Sequence, residues 1–207
     1  MSKQNCRIAG LQMISGPRVS DNLATAGRLV EEAVGQGAQL VVLPEYFPII
    51  GALDAERVRA REDFGHGPIQ SWLAEMAQRH GIWVFAGSLP LTAASPDKMR
   101  NSSLVFNPAG ECVARYDKIH LFGFKKGDES YDEASFIEPG DQPVAVDTPF
   151  GRVALSICYD LRFPELYRAL APVDLILVPA AFTETTGKAH WEILLRARAI
   201  ENQCYLL

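Results

Sequence analysis

Arg152-Val153-Ala154-Leu155-Ser156-Ile157-Cys158-Tyr159-Asp160-Leu161-Arg162-Phe163-Pro164-Glu165-Leu166 passes from strand to helix through a cysteine. The short apolar run after Gly151 reads as a buried strand. Pro164, with Glu165 in the first turn, reads as a helix start. Cys158 therefore sits where a strand turns sharply into a helix. Backbone N–H groups converge at such a turn, and the positive end of the helix dipole favours thiolate over thiol. A nucleophile wants that environment, although a cysteine there is also read as a buried small residue.

Outward from that turn, two distant segments carry complementary groups. Leu40-Val41-Val42-Leu43-Pro44-Glu45-Tyr46 is an apolar strand that stops at proline and delivers a glutamate at its end. Arg115-Tyr116-Asp117-Lys118-Ile119-His120-Leu121 places a lysine where the strand from Glu111 to Tyr116 gives out. In α/β folds, groups at the carboxyl ends of strands converge on the ligand crevice. Taken singly, a strand-end Glu or Lys is a solvated loop charge. Three complementary groups at three strand ends are harder to dismiss.

On the motifs Leu43-Pro44-Glu45, Tyr116-Asp117-Lys118-Ile119-His120-Leu121 and Cys158-Tyr159-Asp160-Leu161-Arg162-Phe163-Pro164-Glu165, the sequence resembles the nitrilase (carbon–nitrogen hydrolase) superfamily and its Glu-Lys-Cys triad. Pro179-Ala180-Ala181-Phe182-Thr183, Thr186-Gly187 and the stretch from Ala189 to Asn202 agree with it. The likeness runs from the first strand to the last residue, nearest the branch of deaminated-glutathione amidases, with the ω-amidases next. It implies one carbon–nitrogen hydrolase domain over residues 1–207 and an αββα four-layer sandwich that lacks its C-terminal strands. It also implies a homodimer. Asn202-Gln203-Cys204-Tyr205-Leu206-Leu207 reads as the opening of a strand. A chain ending there is expected to expose an apolar strand edge and to aggregate readily.

Composition fits such an enzyme without naming one. The 207 residues, 48% hydrophobic and 22% charged, suit one compact α/β domain with a sizeable core. A net charge of −5 with scattered basic residues argues against a nucleic-acid footprint. No apolar run approaches the roughly 18 residues of a membrane span, and the N-terminus carries no signal-peptide core. Cys6, Cys112, Cys158 and Cys204 lie far apart with no CxxC pair, so a reducing cytoplasm reads better than zinc or disulfides.

Strand and helix signals alternate along the chain: strands over Cys6–Met13, Leu40–Leu43 and Ile82–Gly87, and a helix over Asp21–Val34 capped by Ser20 or Asp21. Pro68 opens a helix through Arg79, closed by Gly81. Pro108-Ala109-Gly110 turns a hairpin between Asn101–Asn107 and Glu111–Tyr116. The charged, glycine-punctuated stretch from Gly123 to Gly140 reads as a long surface loop. Gly151–Cys158, a helix from Phe163, a strand at Asp174–Pro179 and a helix at Ala189–Glu201 complete the pattern. On that last helix, Ile193, Leu194, Ala197 and Ile200 mark the core face. Arg196, Arg198 and Glu201 read as solvated charges or as pairs across a subunit interface.

The chemistry follows from the residue types. A cysteine attacks an amide carbon only as thiolate, and a free thiol is mostly protonated at neutral pH. Glu45 suits the general base, taking the thiol proton and returning it to the leaving amine, released as ammonia. Lys118 suits the electrophile that holds charge beside the developing oxyanion, with the Tyr159 N–H as a second donor. Water activated by Glu45 opens the thioester on Cys158, and no metal or organic cofactor is needed. The resemblance assigns a second glutamate to the long loop, best matched by Glu133, although the local residues do not separate it from Glu129. Arg162 suits a substrate carboxylate or an ion pair with Glu165 or another acid. Phe182 and Thr186 are the family's pocket lining, and Phe182 reads equally as core.

His190-Trp191-Glu192 is not HExxH and makes no zinc site. A thiol-protease pair of His120 with Cys158 leaves Glu45 and Lys118 unexplained, so His120 is expected to pack locally. The triad alone does not separate amidase from nitrilase or N-carbamoyl hydrolase. Arg162 favours an acidic amide, and an inactive fragment or binding subunit is the reading from another class.

Overall fold

The computed structural model describes residues 5–51, 53–127 and 129–207. Asp128, inside the expected loop, and the first four residues of the stretch read as free of a signal-peptide core lie outside them. In chain order the elements are β1 (Ile8–Gly10), α1 (Val19–Gly35), β2 (Leu40–Val42), α2 (Asp54–Arg59), α3 (Pro68–His80), β3 (Trp83–Phe85), β4 (Leu89–Thr92), β5 (Met99–Phe106) and β6 (Cys112–Asp117). There follow β7 (Gly123–Lys126), β8 (Glu129–Asp132), β9 (Ala145–Thr148), β10 (Gly151–Leu155), α4 (Pro164–Leu170), β11 (Leu175–Leu177), α5 (Glu184–Asn202) and β12 (Tyr205–Leu206).

Two sheets form the centre. In the first, β1, β2 and β3 run parallel, and β5 pairs antiparallel with β3, β4 and β6. In the second, β9 runs antiparallel to β10, and β10, β11 and β12 run parallel. The period-2 alternation of strands decides what each face covers. Leu40 and Val42 of β2 turn inward onto Val153, Leu155, Leu175 and Leu177 of the second sheet, so the sheets stack face to face. Val41 between them turns outward, with Val84, onto Ala26 and Val30 of α1 and Ile69 and Leu73 of α3. On the far side, Leu166, Tyr167 and Leu170 of α4 close over the second sheet with Trp191, Leu194 and Leu195 of α5. The layers are therefore α, β, β, α, as the resemblance implied. Each fully buried Val or Leu in these layers contributes about 1.5–3 kcal/mol of transfer free energy.

Several expectations are corrected. α1 begins at Val19 behind Arg18, with no side-chain cap, so neither Ser20 nor Asp21 caps it. Asp21 instead lies in the first turn and pairs with Arg18 at 2.6 Å. The stretch 123–140 is not one loop: β7 and β8 form a hairpin there, followed by a turn of 3-10 helix at Glu133–Ser135. α5 starts five residues before Ala189, because Thr183 accepts the Thr186 N–H and caps it. Ile193 and Ile200 do not face the core; they are 70% and 76% exposed. The inward face of α5 carries Arg198 instead, whose Nε donates to the Leu161 carbonyl and whose Nη1 pairs with Glu201 at 2.8 Å. Arg198 is thus neither solvated nor available to a subunit interface.

Candidate active site

Glu45 stands just past the end of β2, and the chain around it is tied down from three sides. The Leu43 N–H donates to Phe85, the Ser88 N–H to Pro44, and the Tyr46 N–H to the Ser88 hydroxyl. Gly87 makes this approach possible. At φ 59° it occupies the left-handed region, and a Cβ there would lie 2.1 Å from the carbonyl oxygens of Leu43 and Pro44. Tyr46 itself has a φ of 54°, a strained value for a non-glycine residue. The Glu45 carboxylate, 4% exposed, accepts from Lys118 Nζ at 3.1 Å, Asn101 Nδ2 at 3.1 Å and the Ala181 N–H at 2.7 Å.

Lys118 follows β6 directly, and its N–H donates to Asn101 on the neighbouring strand. Its ammonium is fully buried between two carboxylates, Glu45 at 3.1 Å and Glu133 at 2.9–3.0 Å. Burial pulls against its charged form. The Glu45 carboxylate, with Glu133, outweighs it and holds the ammonium well above the usual lysine range. Glu133 is locked by Phe122, whose N–H it accepts at 2.7 Å and to whose carbonyl its own N–H donates. Burial first, then the Glu45 carboxylate, push the Glu133 carboxyl up against the pull of Lys118. Geometry separates the two loop glutamates: Glu129 accepts from Thr185 on α5 at 3.1 Å, while Glu133 reaches the lysine.

Cys158 opens a turn of 3-10 helix, Cys158–Arg162, between β10 and α4. Its φ of 50° is again left-handed, and its own N–H is taken by the Pro179 carbonyl at 2.9 Å. The Tyr159 N–H, next in the chain, has no hydrogen-bond partner among the described residues, as expected for a first helical turn. Cys158 is buried, 8% exposed. Contrary to the dipole argument, burial first and then the charge of the Glu45 carboxylate raise its thiol well above an ordinary cysteine; Lys118 pulls the other way and loses. The resting group is a thiol poised against a base.

Phe122, Cys158, Tyr159, Ala181, Phe182, Thr183 and Thr186 line a cavity of about 20 Å³ over the sulfur. That is room for one water rather than a substrate. Phe182 also packs tilted against Trp191, ring centroids 4.7 Å apart at 57°. Arg162 makes no ion pair with Glu165 or any other acid among the described residues. Its guanidinium lies over the Tyr159 and Phe182 rings, and its Nη1 contacts His190 Nδ1 at 3.1 Å. His120 packs locally, stacked on Phe163 at 3.6 Å and bonded to Asp160. No cluster of metal ligands occurs among the described residues. The sequence reading missed Asn101 and Asp160. Asn101 sits at a buried strand position, and nothing in its neighbours marks it.

The carbon-nitrogen hydrolase family model matches residues 7–207. The chain belongs to that family. It is 45% identical to the deaminated glutathione amidase of Yersinia enterocolitica, over 99% of this chain and 72% of that one. The C. elegans NitFhit protein superposes with a TM-score of 0.89 at 37% identity, covering 100% of this chain and 51% of the larger one. An amidase from Nesterenkonia matches with a TM-score of 0.83 at 30% identity, over 98% of this chain and 77% of that one. That structure carries acrylamide joined by Michael addition to its active-site cysteine. The fold is thus that of the nitrilase superfamily, and the chain is a carbon–nitrogen hydrolase of the amidase kind.

Proposed function

We propose that this hydrolase cleaves the C–N bond of a small, carboxylate-bearing amide through a thioester on Cys158, deaminated glutathione being the leading substrate. The observation that carries the reading is the buried set in which Glu45 bonds the Lys118 ammonium, Glu133 holds that ammonium from a second side, and the Glu45 carboxylate lies close enough to the buried Cys158 thiol to raise it. Glu45 takes the thiol proton as sulfur attacks the amide carbon. The carbonyl oxygen becomes an oxyanion facing the Lys118 ammonium and the Tyr159 N–H, each such donor contributing about 3 kcal/mol to the barrier. Glu45 hands the proton to the departing nitrogen, the C–N bond breaks, and the thioester remains. A water loses a proton to Glu45 and attacks the thioester; the sulfur leaves and recovers that proton. Glu133 holds Lys118 in place from the opposite side.

Arg162, without an acidic partner among the described residues and with its guanidinium over the Phe182 ring, suits the substrate carboxylate. The leaving group is ammonia from a primary amide and an amine from a substituted one, so the assay must read the acid product as well as ammonia. All four cysteines are free, which fits a reducing cytoplasm. No helix among the described residues is long and apolar enough to cross a membrane. The exposed face of α5, with Ile193, Glu192, Arg196 and Ile200, is self-complementary in charge and suits a homodimer. The test is turnover of deaminated glutathione, α-ketoglutaramate, an N-carbamoyl amino acid and an aliphatic nitrile by wild type and Cys158→Ala. Hydrolysis of an acidic amide, lost in the variant, supports the reading; hydrolysis of the nitrile or carbamoyl compound alone overturns it.

A further inference from the structure

Asp160 is a fully buried carboxylate that no lysine or arginine pairs with among the described residues. Burying an ionised carboxylate is costly unless hydrogen bonds replace its water. Here four donors do so. Oδ2 accepts from the Ile157 N–H at 2.8 Å and the Tyr116 hydroxyl at 2.7 Å. Oδ1 accepts from the His120 N–H at 3.0 Å and contacts His120 Nδ1 at 2.8 Å. A carboxylate offers about four lone-pair sites, so its capacity is filled. Facing a carboxylate oxygen, His120 Nδ1 is the donor of that contact.

The donors belong to two chain segments. Tyr116 and His120 bracket Lys118, and Ile157 immediately precedes Cys158. We infer that Asp160 is a positioning residue that sets the separation of the nucleophile from the Lys118 ammonium and holds Cys158 in its left-handed conformation. The inference rests on the amidase reading for the roles of those two residues. Strained backbone persists only where its surroundings over-determine it. At Cys158 the determinants are the Asp160 bond to the preceding N–H and the Pro179 bond to the cysteine's own N–H. The clamp is stiffened by the His120 ring stacked on Phe163 and by the Ile119 N–H donating to the Tyr116 hydroxyl at 3.3 Å.

Asp160→Asn replaces one acceptor oxygen by a donor that faces donors, with little change of shape. Kcat is expected to fall about 10–100-fold, the scale of a displacement near 1 Å in a reacting pair, with KM within about threefold. Tyr116→Phe removes one of the four donors, and a several-fold fall in kcat with KM unchanged is expected. Where Asp160→Asn fails to fold, Tyr116→Phe decides. A merely structural role predicts a lower Tm with kcat of the folded protein within twofold of wild type, and that result overturns the inference. So does a rise in KM with kcat retained. Should wild type turn over no amide, the amidase reading fails, and the clamp is still tested by the rate of Cys158 carbamidomethylation with iodoacetamide. The clamp predicts a slower reaction in Tyr116→Phe; an equal or faster one contradicts it.

Discussion

Lys118 and Lys188 both touch glutamates at hydrogen-bond distance, at 2.9–3.1 Å and 2.5 Å. The Lys118 side chain is wholly buried, its partners nearly so, whereas Lys188 and Glu184 are 77% and 80% exposed. Water screens the surface pair, and ordering two long side chains cancels most of its Coulomb gain. In the interior the same contact fixes a charge state: against burial, the two carboxylates hold the ammonium well above the usual lysine range. Distance alone therefore says little about what an ion pair does. Burial decides whether it is decoration or machinery.

Five variants break or sharpen that contrast. Cys158→Ala should lower kcat by about 10⁴-fold or more while leaving Tm near wild type, since only the sulfur is lost. Lys118→Met should both cost about 3–5 kcal/mol in denaturant unfolding and lower kcat by about 10²–10³-fold, because two buried carboxylates then face each other unpaired. Adding Glu133→Gln to that variant should recover part of the stability, as one uncompensated charge is removed. Glu133→Gln alone bears on pH. The Glu133 carboxyl is raised in the folded state. It takes up a proton at higher pH than an ordinary glutamate, and activity that needs its charge falls as pH drops through that raised value. The same shift favours the protonated folded state, so its stability contribution is present below the ordinary glutamate range and lost as pH rises through the raised one. The acid limb of kcat/KM should move or vanish in Glu133→Gln; an unmoved limb removes Glu133 from the account. Lys188→Ala, the surface control, should change stability by no more than about 0.5 kcal/mol and leave kcat untouched.

The strand-end groups were legible because local rules place them. Apolar runs stopping at Pro44 or turning before Pro164 put Glu45 and Cys158 at strand ends whatever the tertiary partners. The hairpin of β7 and β8 was not legible, because its side chains are exposed or half-exposed on both faces and show no period-2 contrast. The inward face of α5 was misread for a related reason. Arg198 satisfies its guanidinium at Leu161 and Glu201 and so occupies a core position, rotating Ile193 and Ile200 outward. The raised thiol of Cys158 escaped the sequence because its causes are tertiary: burial first, and then the Glu45 carboxylate, which arrives from the other sheet. Asp160 sat inside the quoted motif, yet its donors Tyr116 and His120 lie 44 and 40 residues away.

The central claim is that the buried thiol attacks the amide carbon with Glu45 as base. Rapid-quench mass spectrometry on the enzyme turning over deaminated glutathione tests it most directly. The account predicts the 2-oxoglutaryl mass on the peptide carrying Cys158 before the steady state, absent in Cys158→Ala and formed far more slowly in Glu45→Gln. Steady turnover with an unmodified Cys158, or undiminished acylation in Glu45→Gln, would contradict it.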